Sequence, residues 1–249
     1  MKRLAHFRGC LLLLLLIGGP AAPAQQVTVT ASVALMNSGK LNSGKKSGAV
    51  NAGNVVLWLT PMGSSAVQDV PLRPSSPRSR LVQKNKSFEP HVVAVTVGSV
   101  VEFPNKDPFF HNVFSLFEGK RFDLGLYEAG STRDVVFDKP GISYIFCNIH
   151  AEMSAVVVAV ETPYYGISDR RGQVTIANVP AGRYTLRLWY EAAMPDVLKS
   201  MTREVTISES TPTLGLLRLP AGAEPQAHKN MYGRDYPPPS PDSSTYERP

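Results

Sequence analysis

The sequence predicts an all-β chain assembled as a sandwich of short, mainly antiparallel strands. Three observations predict it. Valine and threonine crowd into short runs. Glycine, proline, asparagine and aspartate cut those runs at short intervals, with 19 Gly and 21 Pro in 249 residues. No long stretch carries the 3.6-residue apolar period of an amphipathic helix. A content of 43% hydrophobic and 18% charged residues belongs to one or two ordinary globular domains, not to a disordered or fibrous chain.

Taken in order, Val27 to Leu35 alternates as Val-Thr-Val-Thr-Ala-Ser-Val-Ala-Leu, the period of a half-buried strand. Asn37 to Asn54, rich in Ser, Gly, Asn and Lys, is expected to be a long loop. Val55 to Thr60 is a second strand, ended by Pro61, and Met62 to Ser79 is a polar, proline-containing connection. From about Leu81 the strands come closer together: Val92–Val97, Val100–Phe103, Asn112–Leu116, Arg121–Tyr127, Thr132–Phe137, Ser143–Cys147 and Ala155–Val160. Gly98-Ser99, Pro104 to Asp107, Glu118-Gly119, Ala129-Gly130 and Lys139 to Gly141 supply the turns between them. After Pro163 come Tyr164–Ser168, Gln173–Ala177, Tyr184–Tyr190, Glu204–Ile207 and Leu214–Leu219, with a short helical or irregular excursion over Glu191–Thr202. Residues 220–249 contain Pro237-Pro238-Pro239 and few large apolar groups, and are expected to be a disordered tail.

The first 24 residues read as a signal peptide. Lys2, Arg3 and Arg8 precede an apolar run, Leu11 to Ile17, that is too short to span a bilayer. Gly18-Gly19-Pro20 breaks the run, and Ala22-Pro23-Ala24 has the small-x-small form of a cleavage site, so a periplasmic or secreted chain starting at Gln25 is expected. Cleavage removes three of the 26 basic residues and none of the 20 acidic ones, lowering the formal net charge from +6 to +3. That balance does not favour nucleic acid as a partner, and no later segment reads as a membrane span. Arg73, Arg78, Arg80, Lys84 and Lys86 gather between Pro and Ser, where a solvated loop is expected and a docking patch for an acidic partner is the alternative. Of the two cysteines, Cys10 leaves with the signal. Cys147 then stands alone in an oxidising compartment, unable to form an internal disulfide, and metal ligation is one reason for such a thiol.

Phe146-Cys147-Asn148-Ile149-His150-Ala151-Glu152-Met153 places a thiol, an imidazole and a thioether three residues apart. A loop between two strands can turn all three toward one point. His111, at the start of an earlier strand, is the candidate fourth ligand. Two imidazoles, one thiolate and one weak thioether form a donor set suited to copper. Structural zinc sites more often use further thiolates or carboxylates. Taken singly, Cys147 and Met153 read as core residues, and His111 and His150 as core or surface residues; the joint pattern carries the metal reading. His91 and His228 lack such company and are expected to be structural or solvated.

The run Val100 to Asp107, His111-Asn112-Val113-Phe114-Ser115 and Cys147-x-x-His150-x-x-Met153 resembles the copper motifs of the cupredoxins. The Cys-x-x-His-x-x-Met loop is most similar to that of the amicyanins, and His-Asn-Val is shared with the plastocyanins. The resemblance covers about residues 81–160 and extends to bacterial plastocyanin-like and methylamine utilisation proteins. It implies a Greek-key sandwich holding one type 1 copper ion through His111, Cys147, His150 and Met153, and single-electron transfer between redox protein partners. Asn112 is then a candidate to tie the His111 loop to the Cys147 loop, with a local turn or strand-end hydrogen bond as the alternative. Phe109, Phe110, Ile149 and Ala151 are candidates for an apolar rim around His150, with core packing as the alternative for the two phenylalanines.

A second resemblance lies at Asp169 to Leu186, where Asp-x-x-Gly and Pro-x-Gly-x-Tyr are similar to the carboxypeptidase regulatory-like, prealbumin-type sandwich. That module starts with two earlier strands, which Val27–Leu35 and Val55–Thr60 can supply. The expected organisation is a discontinuous second sandwich, residues 25–80 and 161–219, interrupted by the cupredoxin domain, residues 81–160. Extension of the cupredoxin sheet by the early strands is the alternative. An enzyme is not expected, since no Ser-His-Asp, paired-carboxylate or phosphate-loop pattern stands out. Two other functions keep the same ligands: a copper carrier or scavenger, for which Met- or His-rich tracts are missing, and a cell-surface binding module with an accessory copper domain.

Overall fold

A computed structural model describes residues 25–37, 51–63, 78–116, 118–210, 212–221 and 228–236. The expected signal peptide, Arg73, most of the Asn37–Asn54 loop and the Pro237-Pro238-Pro239 run lie outside the described residues. The described chain is all-β apart from one short helix, as the alternating runs require. Its strands are β1 (Gln26–Asn37), β2 (Val56–Pro61), β3 (Ser79–Arg80), β4 (Val82–Lys84), β5 (Ser87–Glu89), β6 (Val92–Thr96), β7 (Ser99–Pro104), β8 (His111–Ser115) and β9 (Phe122–Tyr127). There follow β10 (Thr132–Phe137), β11 (Gly141–Cys147), β12 (Ser154–Val160), β13 (Tyr165–Ile167), β14 (Gln173–Pro180), β15 (Gly182–Trp189), helix α1 (Pro195–Ser200), β16 (Arg203–Ile207) and β17 (Thr213–Ala221).

Two sheets, ordered β14-β1-β17 and β13-β2-β15-β16, share one core. The inward residues of β1, Val29, Ala31 and Val33, meet Leu57 and Leu59 of β2, Ile176 of β14 and Leu186 of β15. The early strands therefore pair with the late ones: β1 with β14 and β17, and β2 with β13 and β15. Local chemistry fixes the turns. Asp169 Oδ1 accepts from the backbone amides of Arg171 and Gln173, both at 2.8 Å. Gly172 follows in the left-handed region (φ +79°), where a Cβ would lie 2.1 Å from Val33 O. Tyr184 Oη donates to Pro180 O at 2.7 Å, closing the β14–β15 corner.

A five-stranded sheet, β6-β12-β11-β8-β9, and a three-stranded one, β10-β7-β3, flank a second core. Leu81, Phe103, Val113, Tyr127, Phe137, Ile145 and Val157 fill it. Chain neighbours are often separated in space: β11 lies between β12 and β8, while β10 joins β7 in the facing sheet. The outer face of β6 and β12 packs on β2 and β15 through Val92, Ala94, Val156, Val158, Val56 and Trp189. That double coverage explains why β6 and β12 read as continuous rather than alternating apolar runs. The sheets are not purely antiparallel. β6–β12, β3–β7 and β1–β17 pair in parallel, because these partners are far apart in sequence and no hairpin turn dictates their direction.

Two expectations need correction. The β4–β5 hairpin lies within the described residues, and its first strand, β4, was not expected. Its turn residues Asn85 and Lys86 both have positive φ, 54° and 52°, the conformation of a two-residue hairpin turn. The tail, expected to be disordered, contains a described segment, 228–236, that packs on the sandwich. Aromatic stacking and a local turn at Asn230 hold it there in spite of its low apolar content.

Candidate metal centre

His111 begins β8 and Cys147 ends β11, the strand hydrogen-bonded beside it, so the sheet register brings the two residues to one end of the sandwich. The loop from Asn148 to Met153 returns the chain to β12. Asn148 N donates to Asn112 O at 2.9 Å, which ties this loop to β8. Met153 N donates to His150 O and Cys147 N to Met153 O, both at 3.2 Å, so the loop closes on itself. This backbone geometry turns the side chains of Cys147 and His150 to one side.

The sulfur of Cys147 lies 3.6 Å from His111 Nδ1 and 3.6 Å from His150 Nδ1. Among the described residues His111, Cys147 and His150 form a group whose donor atoms all fall within 4.8 Å of one another. His111, Cys147 and Met153 are fully buried, whereas His150 keeps an edge toward solvent. Met153 shares the core cluster of Cys147 and is bonded through its backbone to both other members of the loop.

The electrostatics prepare neutral imidazoles. His111 is held below its ordinary pKa of 6.5 by burial, against the opposing carboxylate of Asp107. His150 is pushed down to about 4, first by burial and then by His111. Burial raises the Cys147 thiol, while the backbone amides of Asn112, Ile149 and His150 favour the thiolate. Three donors that share a desolvated pocket, two of them uncharged imidazoles at neutral pH, suit a soft transition-metal ion that takes the place of the thiol proton.

Asp107 had no assigned role in the sequence reading beyond a turn. Its Oδ2 accepts the Nε2 proton of His111 at 2.9 Å, so Nδ1 is left as the lone pair facing Cys147. The same carboxylate accepts from Asn85 N at 2.6 Å and Lys86 N at 3.0 Å, which fastens the β4–β5 turn over the site. Asn105 in turn accepts from Asp107 N at 3.0 Å and donates to Phe109 O at 2.7 Å. The nearest sequence signal was the four-residue separation of Asp107 and His111 across Pro108, which has no helix or strand period to mark it.

Asn112 does not reach the Cys147 loop with its side chain. That amide donates to Asp123 Oδ1 at 2.6 Å, and the tie to Asn148 runs through the Asn112 carbonyl instead. Phe109 packs against both imidazoles, its ring centroid 5.4 Å from His111 and from His150, while the two imidazole centroids lie 5.0 Å apart. Lys86 Nζ stands 5.6 Å from the Phe109 centroid. Phe110 and Ala151 are exposed, whereas Ile149 packs partly on the core. Of the basic group, Arg78 pairs with Asp134 at 2.9 Å and Arg80 with Glu102 at 3.1 Å, leaving Lys84 and Lys86 outside those pairs. His91 is structural: its Nε2 meets Glu191 at 2.6 Å and its Nδ1 meets Ser154 O at 3.1 Å.

No protein-family model matches the chain, and no curated protein is detectably similar to it. Solved structures are similar over part of its length. A copper-containing nitrite reductase from Thermus scotoductus is 25% identical over 34% of this chain and 22% of its own, with a TM-score of 0.32. The chain thus spans less than a quarter of that enzyme's length. A purple cupredoxin from Nitrosopumilus maritimus is 20% identical over 33% of this chain and 99% of its own, with a TM-score of 0.30. An amicyanin variant in its Cu(I) form is 16% identical over 42% of this chain and 98% of its own, with a TM-score of 0.32.

Proposed function

We propose that this chain holds one type 1 copper ion through His111, Cys147, His150 and Met153 and carries single electrons between redox protein partners, without being an enzyme. The observation that carries the reading is the convergence of both imidazole Nδ1 atoms on the Cys147 sulfur at 3.6 Å. Copper bound there would supply a one-electron couple. The donor set fits that ion: one thiolate, two neutral imidazoles and the thioether of Met153, which is buried in the same core cluster as Cys147. Asp107 fixes the tautomer of His111, and the loop hydrogen bonds hold Cys147 and His150 in place before any ion arrives. A site organised in advance needs little movement when its charge changes, which favours electron transfer over metal exchange. His150, with its partly exposed edge, is the exit toward a partner, and the exposed Phe110 offers apolar contact.

We assign residues 1–24 to a cleaved signal and the mature protein to the periplasm or the exterior; no helix of the described residues is long and apolar enough to cross a membrane. We assign residues 81–160 to the copper unit, inserted into a second sandwich built from 25–80 and 161–219. Pairing of β1 with β14 and β17, and of β2 with β13 and β15, supports that division.

Voltammetry of the copper-loaded protein tests the electron-carrier role. Reversible interconversion of Cu(I) and Cu(II) without loss of metal is expected. Release of one oxidation state to a modest chelator within the mixing time would assign the chain to copper delivery instead.

A further inference from the structure

The C-terminal segment 228–236 is fastened to the Cys147 loop by contacts that the four proposed ligands do not require. Tyr236 Oη donates to Cys147 O at 2.6 Å. Met231 N donates to Asn148 Oδ1 at 3.0 Å. The His228 ring stacks on Phe146 at 4.1 Å and 25°, and the Tyr236 ring meets His228 edge-on at 5.2 Å. The segment also holds its own shape. Asn230 Oδ1 accepts from Tyr232 N and Arg234 N, both at 3.0 Å, and Asn230 N donates to Arg234 O at 2.9 Å. Lys229 pairs with Asp235 at 3.2 Å. This small closed loop sets His228 and Tyr236 side by side.

The Tyr236 contact acts on a peptide unit that is also held from the other side. Cys147 O accepts from Tyr236, while Asn148 N, the other polar group of that unit, donates to Asn112 O of β8. The peptide that follows the sulfur-bearing residue is therefore gripped by the sandwich on one side and by the tail on the other. Two hydrogen bonds of opposite direction fix a peptide plane, and with it the direction of the side chain that precedes it. The phenol also draws electron density from the Cys147 carbonyl.

We propose that residues 228–236 form a strap that is part of the metal centre, with Tyr236 as the positioning residue that holds Cys147 through its carbonyl. The proposal rests on the copper reading above. A held sulfur keeps the ion longer, and a carbonyl that already accepts a hydrogen bond leaves less electron density on the thiolate, which favours the reduced state.

The experiment compares the full mature chain, Tyr236→Phe and a chain ended after residue 221. Tyr236→Phe keeps the ring against His228 and removes only the hydroxyl. Three quantities are read: the reduction potential, the rate at which excess bicinchoninate removes Cu(I), and the rate at which the apo Cys147 thiol reacts with a disulfide reagent. Tyr236→Phe is expected to lower the potential and to speed both Cu(I) loss and thiol reaction about three- to tenfold, the size of one hydrogen bond. The shortened chain should change all three in the same direction by at least as much. It carries the test alone if Tyr236→Phe does not fold. Unchanged potential and thiol rate in both variants would overturn the strap, even if melting temperature fell. Colour in all three proteins together with unchanged rates would reject the strap and keep the copper site. A colourless full chain would reject the copper site, while the apo thiol rates would still decide the strap.

Discussion

Asp107 is the residue on which the site's preparation turns. Its carboxylate accepts hydrogen bonds from His111 Nε2 and from two backbone amides of the β4–β5 turn, so it orients a ligand and anchors the hairpin beside that ligand. Asp107→Asn keeps an acceptor for the turn but replaces the acceptor facing His111 by one that competes for its tautomer. Copper affinity, measured by chelator competition, should fall about 10- to 100-fold; an unchanged affinity would show that His111 needs no orienting partner. Proton release is a second test at this scale. Burial keeps the Cys147 thiol protonated above its ordinary pKa of 9.0, while both imidazoles lie below 6.5. Between those limits, metal binding to the apoprotein should release about one proton per ion. Release of none would mean the thiolate already exists, and release of two would mean that an imidazole is charged. The His111, Cys147 and His150 group was partly legible in the sequence, because Cys147 and His150 lie three residues apart in one loop. Asp107 was not, because its role comes from a turn on a distant hairpin. Tyr236 was not, because its partner is a backbone carbonyl that leaves no mark on composition.

At the scale of elements, the strands with apolar runs were legible and the polar ones were not. β6 and β12 announce themselves as Val-rich segments because both faces are buried. The β4–β5 hairpin hides in Gln83-Lys84-Asn85-Lys86-Ser87, where a lysine takes a left-handed position that glycine usually fills. Asp107 makes that turn possible from outside it. The parallel pairings were illegible for a related reason: direction is set by which faces must be covered, not by any property of the strand itself. The Asp169 to Gly172 turn is the opposite case, a local signal with a local cause. An alanine Cβ at position 172 would clash with Val33 O in β1 and would sit at positive φ. Gly172→Ala should therefore destabilise the protein by about 1–3 kcal/mol, measured by chemical denaturation. A midpoint equal to that of the wild type would mean that β1 does not lie against this turn.

At the scale of the whole molecule, two cores are joined through the outer face of β6 and β12. One ionic contact crosses the same junction: His91, between β5 and β6, meets Glu191, just beyond β15. The Glu191 hydrogen bond raises the pKa of His91, outweighing burial, which lowers it. The stability it adds is then fully present below the unfolded value of 6.5 and is lost as pH rises through the higher folded value. The melting temperature of the wild type should exceed that of His91→Gln at about pH 5.5 and converge toward it at about pH 9. A gap that widened with pH would contradict the assigned pair. The visible spectrum of the copper-loaded full chain decides whether the Cys147 sulfur binds the metal. Wild-type protein is expected to show intense thiolate-to-copper charge transfer, retained in Met153→Leu and abolished in Cys147→Ser. A wild-type protein that binds Cu(II) stoichiometrically and remains colourless would contradict it.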